Sequence, residues 1–425
     1  MVASWTMQRG DAARVPAPAP TRSEVPMSSR VENVPVPASP RARMRRTFQA
    51  TLATLLAGIA LFAASKASAA ADAAPAKPAS RAEAVALIAE ARRIVTPAGI
   101  EREQKVRIGG IEQWISIRGN HRANPVLLVI HGGPGYTSMP LAWWNARTWE
   151  EFFTVVHWDQ RAAGRTHLLT DPEVVAPTLT LDRMYADTEE VAAWVRGELA
   201  RERIFVLGHS WGTYLGLRLA LERPGWLHAY VGVAQITDMR ENERRNWRVI
   251  LDRAHRAGDA DAVAALEALA PYAAPGAEVP MEHIYTQRRT GERLGGTLAH
   301  RDNNRAESAM VRLAPEYDDA GIGRAWDGNA FAAPYLFREI IDIDFSGERS
   351  FDVPMLMFLG RHDTIAHPGL VAEWFEGVEA PGKRLVWFEE SAHSPMTEEP
   401  GRFLLSLVGE LRPIAERAGD VPPPR

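Results

Sequence analysis

Short apolar runs recur along the chain from about residue 104, and polar stretches with a helical period lie between them. "PVLLVIHG", "FFTVVHWDQ", "RIFVLGHS", "HAYVGVA", "PMLMFLG" and "RLVWFEE" are each only a few residues long and almost continuously apolar. Such runs suit strands buried on both faces of a parallel sheet. Helical patterns occupy 186–201 and Gly212–Glu222. Alternation of the two patterns predicts an α/β fold, a mostly parallel sheet flanked by helices. Ahead of the first run, "KVRIGG" and "IEQWISIRG" alternate around Gly109-Gly110, which predicts a hairpin. Ser80-Arg81-Ala82-Glu83 is a capping-box pattern and opens an amphipathic helix to about residue 95.

One interval breaks the rhythm. From 236 to 345 no core strand is evident, and helix-like stretches such as 240–257 and 259–269 are separated by Pro- and Gly-containing breaks. This predicts a helical cap inserted between two parts of the sheet domain, 104–235 and 346–411. A linker and N-terminal helix over 70–103 precede the core, and a frayed tail over 412–425 follows it.

The N-terminal region reads as targeting. "RARMRRTFQATLATLLAGIALFAASKASAA" has a basic start, an apolar run over 51–64 and small residues, with Ala67-Ser68-Ala69 matching a cleavage site. The run is shorter than the roughly 17–25 residues of a membrane-spanning helix. A signal peptide over 44–69 is expected, giving a periplasmic or secreted protein without stable membrane insertion of the mature form. Arg45-Arg46-Thr47-Phe48 also resembles a twin-arginine signal. The Pro- and Ala-rich residues 1–43 are expected to be a disordered extension or a misassigned start, with translation beginning at Met44.

Composition narrows the chemistry. The absence of cysteine excludes disulfides, thiolate metal sites and a cysteine nucleophile. A formal net charge of −4 gives no hint of a nucleic-acid partner. No HExxH-like pair points to a metal.

Ser210 is the centre of the candidate chemistry. "GHSWG" stands where a strand hands over to a helix, so a tight bend would lift the serine hydroxyl above the sheet. A serine at neutral pH needs a base, and in this layout an acid and then a histidine follow it in the chain. Asp363 lies just beyond the run "PMLMFLG" and His393 just beyond "RLVWFEE". Both are expected at strand carboxyl ends, with Asp363 orienting His393. His362, His367, His209, Glu389 and Glu390 are neighbours better read as packing or loop residues. "HGGPG" follows the strand "PVLLVI" and supplies side-chain-free amides. The expected oxyanion donors are the amides of Gly133, helped by Gly132, and of Trp211.

With these motifs in hand, the chain resembles the α/β-hydrolase superfamily, specifically its proline iminopeptidase-like branch. The resemblance rests on "HGGPG", "WDQRAAGRT", "GHSWG", "GRHD" and the late "AHS", and runs over 106–408 with a poorly matching cap. It implies a Ser-Asp-His triad at Ser210, Asp363 and His393, no cofactor, no metal, and cleavage of an N-terminal residue, often proline, from small peptides. The family usually reads DQRG-x-G-x-S and GGSWG; here Ala162 and His209 depart from it. Asp159, Gln160 and Arg161 are expected to stabilise the loop beside the site. In the family, cap carboxylates hold the substrate's free amine. "DMRENERRNW" supplies Asp238, Glu241 and Glu243 near the cap entrance, with Glu241 and Glu243 the candidates for that role, and an exposed, charge-laced helix accounts for the same residues equally well. Trp247, Trp326, Phe331 and Tyr335 are expected either in the cap core or on a substrate pocket.

Three readings follow. One is a secreted serine hydrolase releasing N-terminal residues from short peptides. Another keeps the triad but acts on carboxylic esters. The third is a non-catalytic ligand-binding protein on a hydrolase fold.

Overall fold

The computed structural model describes residues 77–422. The signal-like segment, the 1–43 extension and the last three residues lie outside them.

Eight strands form one sheet: β1 (Ile100–Ile108), β2 (Ile111–Gly119), β3 (Val126–Ile130), β4 (Thr154–Trp158), β5 (Ile204–His209), β6 (Leu227–Val233), β7 (Met355–Gly360) and β8 (Lys383–Phe388). Their spatial order is β1-β2-β4-β3-β5-β6-β7-β8. β1 and β2 are an antiparallel hairpin and β2 meets β4 antiparallel; every pairing from β4 to β8 is parallel. The hairpin closes with Ile108 opposite Ile111, leaving a two-residue turn. Gly109 and Gly110 hold φ of +55° and +82° there, as a twist-matched turn requires.

The principal helices are α1 (Arg81–Arg92), α2 (Leu181–Glu198), α3 (Gly212–Glu222), α4 (Met239–Ala257), α5 (Ala260–Glu267), α6 (Met281–Arg293), α7 (Arg305–Val311), α8 (Asp327–Ile340), α9 (Pro368–Glu376) and α10 (Pro400–Arg417). Ser80 caps α1 by accepting the Glu83 amide at 3.2 Å. Helices α4 to α8 lie between β6 and β7, with no strand of the sheet among them.

Alternation along each strand builds two cores. Val126, Leu128 and Ile130 of β3 face Met184 and Val191 of α2 and Leu215 of α3. Leu127 and Val129 face the other way, toward Phe403, Leu407 and Leu411 of α10. A sheet covered on both faces needs uninterrupted apolar strands, hence the continuous runs in the sequence. The expected frayed tail is corrected here: α10 continues to Arg417, with Leu411 and Ala415 buried against the sheet. Apolar positions at helical spacing, Phe403, Leu407, Leu411 and Ala415, run straight through the proposed boundary.

Candidate active site

Because β3, β5, β7 and β8 run parallel, the loops leaving their carboxyl ends emerge on one side of the sheet. These loops carry Gly132 and Gly133, Ser210, Asp363 and His393.

Ser210 occupies the bend between β5 and α3 with φ +53°, a left-handed conformation that non-glycine residues adopt rarely. Its amide donates to Val233 O at 3.0 Å, which ties the bend to β6. Gly212 makes the bend sterically feasible: any Cβ there would run into the carbonyl of Ile130. The side chain is nearly buried, and Ser210 shares a cavity wall with His393.

His393 Nδ1 lies 2.9 Å from Asp363 Oδ2. The other Asp363 oxygen accepts the amides of Ile365 and Ala366, at 2.7 and 3.0 Å. Three donors thus fix one buried carboxylate. Its acceptance of Nδ1–H leaves the lone pair of Nε2 available. Backbone contacts hold the histidine loop: His393 N donates to Thr297 O, and Glu398 accepts the amides of Ala392 and Ser394. Glu398 carries no motif of its own, and the sequence reading missed it. His209 is half-buried and lines the same cavity as Ser210 and His393. Its Nε2 meets His393 O at 2.9 Å, and burial lowers its pKa to about 4, so it is a neutral donor to that carbonyl. The remaining rivals have separate duties. His367 caps α9, Glu389 pairs with Arg361, and His300 approaches both His362 and Glu390.

The glycine loop after β3 is fixed from below. His131 Nε2 accepts the Gln160 amide at 3.1 Å, so the ring proton sits on Nδ1 and is given to Gly132 O at 2.7 Å. Burial lowers the His131 pKa to about 4 and keeps the ring neutral. In a trans peptide the N–H points opposite to the C=O. Turning Gly132 O toward buried His131 therefore turns the Gly133 N–H away from it. Gly133 has φ +131°, outside the range of residues with a Cβ. The amides of Gly133 and Trp211 donate to no protein acceptor among the described residues. Gln160 joins the two halves: its Nε2 donates to His131 O at 2.9 Å, and its Oε1 accepts Trp211 Nε1 at 3.0 Å. Asp159 accepts from Thr137, the Arg165 amide and Tyr317, and Arg161 grips Asp187 and Gly109 O. All three residues of this stretch brace the loop.

The cavity above Ser210 has a volume of about 370 Å³. Neither Glu241 nor Glu243 lines it, which corrects the expected amine site. Glu241 is held by Arg244 and Arg245 on its own helix. Glu243 is fully buried and spent on Arg288 and on Tyr272. Their helical spacing put cations within reach on one side and the cap core on the other. The carboxylates that do face the cavity are Glu292 on α6 and Glu307 on α7. Neither has an ion-pair partner among the described residues. Burial holds the Glu307 carboxyl above its usual range, and nearby Glu398 adds to this while His393 opposes it. No motif marks these two glutamates. Of the four aromatic residues, Trp326 lines the cavity. Trp247 packs in the cap core and bonds Leu266 O, while Phe331 meets the exposed Tyr335 with the two rings tilted, 5.7 Å apart. Among the described residues, no group of three or more His, Asp or Glu side chains is gathered as a metal would need.

Sheet order, elbow and loop placement together define a hydrolase of the α/β class. The model of the alpha/beta hydrolase fold family matches residues 125–400, and the chain belongs to that family. Among similar proteins, a probable aminopeptidase, YbaC, of Bacillus subtilis (strain 168) is 27% identical over 311 residues, covering 73% of this chain and 96% of that one. The proline iminopeptidase of Saccharolobus solfataricus is 24% identical, covering 70% of this chain and 88% of its own. The crystal structure of a proline iminopeptidase from Mycobacterium smegmatis superposes with TM-score 0.53 at 21% identity, over 75% of this chain and 100% of that one.

Proposed function

We propose that this α/β hydrolase is a serine hydrolase that releases N-terminal residues, of the proline type, from short peptides. The observation that carries it is the Asp363–His393 hydrogen bond of 2.9 Å on the same cavity as Ser210. In this reading Ser210 Oγ attacks the carbonyl carbon and His393 Nε2 takes the hydroxyl proton. Asp363 holds the resulting imidazolium. The Gly133 and Trp211 amides receive the oxyanion, and Gly132 supplies the peptide carbonyl that His131 anchors. His393 then gives its proton to the leaving amine. Water, deprotonated by the same histidine, releases the acyl group. The peptidase names of the relatives support the choice of substrate. So do Glu292 and Glu307, which offer an ammonium group two carboxylates without an ion-pair partner among the described residues.

A fluorophosphonate probe is expected to label the wild type and not Ser210→Ala. Glu307→Gln is expected to raise KM for Pro-p-nitroanilide at least tenfold, since a hydrogen bond to a charged group is worth about 1.5–3 kcal/mol. Hydrolysis of p-nitrophenyl acetate serves as the control without an ammonium group. Because Glu307 must be ionised to hold an ammonium, the same KM should rise as pH falls through its raised pKa. Equal turnover of Pro-p-nitroanilide and its acetylated form, or activity on esters alone, would sink the peptidase assignment and leave a general serine hydrolase.

The signal-like N-terminus adds export to the proposal, with a mature chain beginning near residue 70. N-terminal sequencing of the extracytoplasmic fraction tests it, and an uncleaved protein found only in the cytosol contradicts it.

A further inference from the structure

Helix α6 lays Met281, Tyr285, Arg288, Arg289 and Glu292 along one wall of the cavity. These positions fall three, four or seven apart, or adjoin, so they share one broad helical face. The two arginines have different fates. Arg288 turns inward and its guanidinium is neutralised by buried Glu243. Arg289 is exposed at the cavity rim; among the described residues its one side-chain hydrogen bond is a long one to Thr286, at 3.4 Å. No carboxylate lies within ion-pair distance of it among the described residues, although Glu292 is only one turn away. The cavity therefore offers an uncompensated cation together with the carboxylates of Glu292 and Glu307.

We propose that Arg289 is a subsite for the free α-carboxylate of the substrate, so that the preferred substrates are unblocked di- and tripeptides. This rests on the aminopeptidase reading above. A short peptide at neutral pH is a zwitterion, with an ammonium at one end and a carboxylate at the other. The two glutamates match the first and Arg289 the second. A guanidinium can take a carboxylate through two parallel hydrogen bonds, which fixes orientation as well as charge. Volume sets the length limit: about 370 Å³ lies near the lower bound of small-molecule sites, too small to enclose a longer chain. A longer peptide would carry its carboxylate past the rim and gain nothing from Arg289.

The test compares Pro-Ala with Pro-Ala-amide on wild type and Arg289→Gln. In the wild type, kcat/KM for the free acid should exceed that for the amide roughly tenfold, carried by KM, as a charge-assisted hydrogen bond allows. In Arg289→Gln the ratio should fall to near one. Arg289→Glu should invert it and favour a Pro-Ala derivative ending in a primary amine. Equal kcat/KM for acid and amide in the wild type overturns the subsite while leaving the aminopeptidase assignment intact. An Arg289→Gln protein that loses both substrates in proportion also overturns it, because the arginine then supports the cap rather than the carboxylate. Failure of the wild type to cleave either peptide, with p-nitrophenyl acetate still hydrolysed, defeats the aminopeptidase reading and this one with it.

Discussion

His131 shows how a residue that touches no reacting atom can set the geometry of one that does. Its Nδ1–H holds the Gly132 carbonyl, and that bond decides where the Gly133 amide points. Replacing His131 with Leu removes the donor and frees the peptide to rotate. Losing one oxyanion donor costs about 10²–10³ in kcat. His131→Leu should show a loss of that order with little change in KM, whereas His131→Asn, which retains a short N–H donor, should keep most of the rate. Steady-state kinetics on the two folded variants decides it; equal losses would make the histidine a matter of folding alone. The motifs were legible because they record backbone demands: Ser210 at φ +53°, Gly133 at φ +131°, Gly212 against a neighbouring carbonyl. Ala162 marks the same kind of demand. It stands at φ +61°, where the family's usual glycine is free of the roughly 1–2 kcal/mol that a Cβ costs. Glu292 and Glu307 were illegible for the converse reason: a carboxylate aimed across a cavity leaves no trace in its own local sequence.

At the scale of elements, the sheet could be read from its runs, and the cap could be read only as an interruption. A strand buried on both faces shows itself as apolar throughout, whichever partners it meets. Cap helices bury narrow stripes against one another, and their orientation over the site depends on contacts distant in the chain. Glu243 illustrates this: helix α4 turns it into the cap core toward Tyr272 and Arg288, which lie 29 and 45 residues further on. The C-terminal helix extends past the expected boundary at 412, which rested on the Pro-rich "VPPPR" stretch. Pro413 sits inside α10, while Leu411 and Ala415 remain on the buried stripe. Leu411→Ala should therefore destabilise the protein by about 2–5 kcal/mol, the usual range for emptying a core leucine site. Leu405, 75% exposed on the same helix, should change stability by no more than about 0.5 kcal/mol when replaced by Ala. Urea unfolding of the pair gives the comparison, and similar midpoints would show that the last turns of α10 do not hold the sheet.

For the whole molecule, the scaffold beneath the site sets the response to acid. His131 and His157 are buried and His209 is half-buried, and desolvation lowers their pKa values to about 4, 3 and 4. Among the described residues His157 has no hydrogen-bond partner at either ring nitrogen to offset its desolvation. Unfolded, each would titrate near 6.5. Between those values the unfolded chain binds protons that the folded chain refuses, and stability falls as pH drops below 6.5. Asp159 works against this. Burial raises its pKa to about 6, so the folded state binds a proton there that the unfolded state does not, and this contribution grows as pH falls through 6. Glu307, Glu316 and Glu398, also raised by burial, act in the same direction. Near pH 6 these three histidines outweigh Asp159, so the four groups together take up protons on unfolding and lower stability as pH falls. Urea midpoints measured from pH 7 to 5.5 should fall accordingly, and His157→Phe should flatten the slope by close to one proton. A stability that is level across this window would mean that these imidazoles take up protons in the folded state, and the neutral His131 on which the oxyanion loop depends would have to be abandoned.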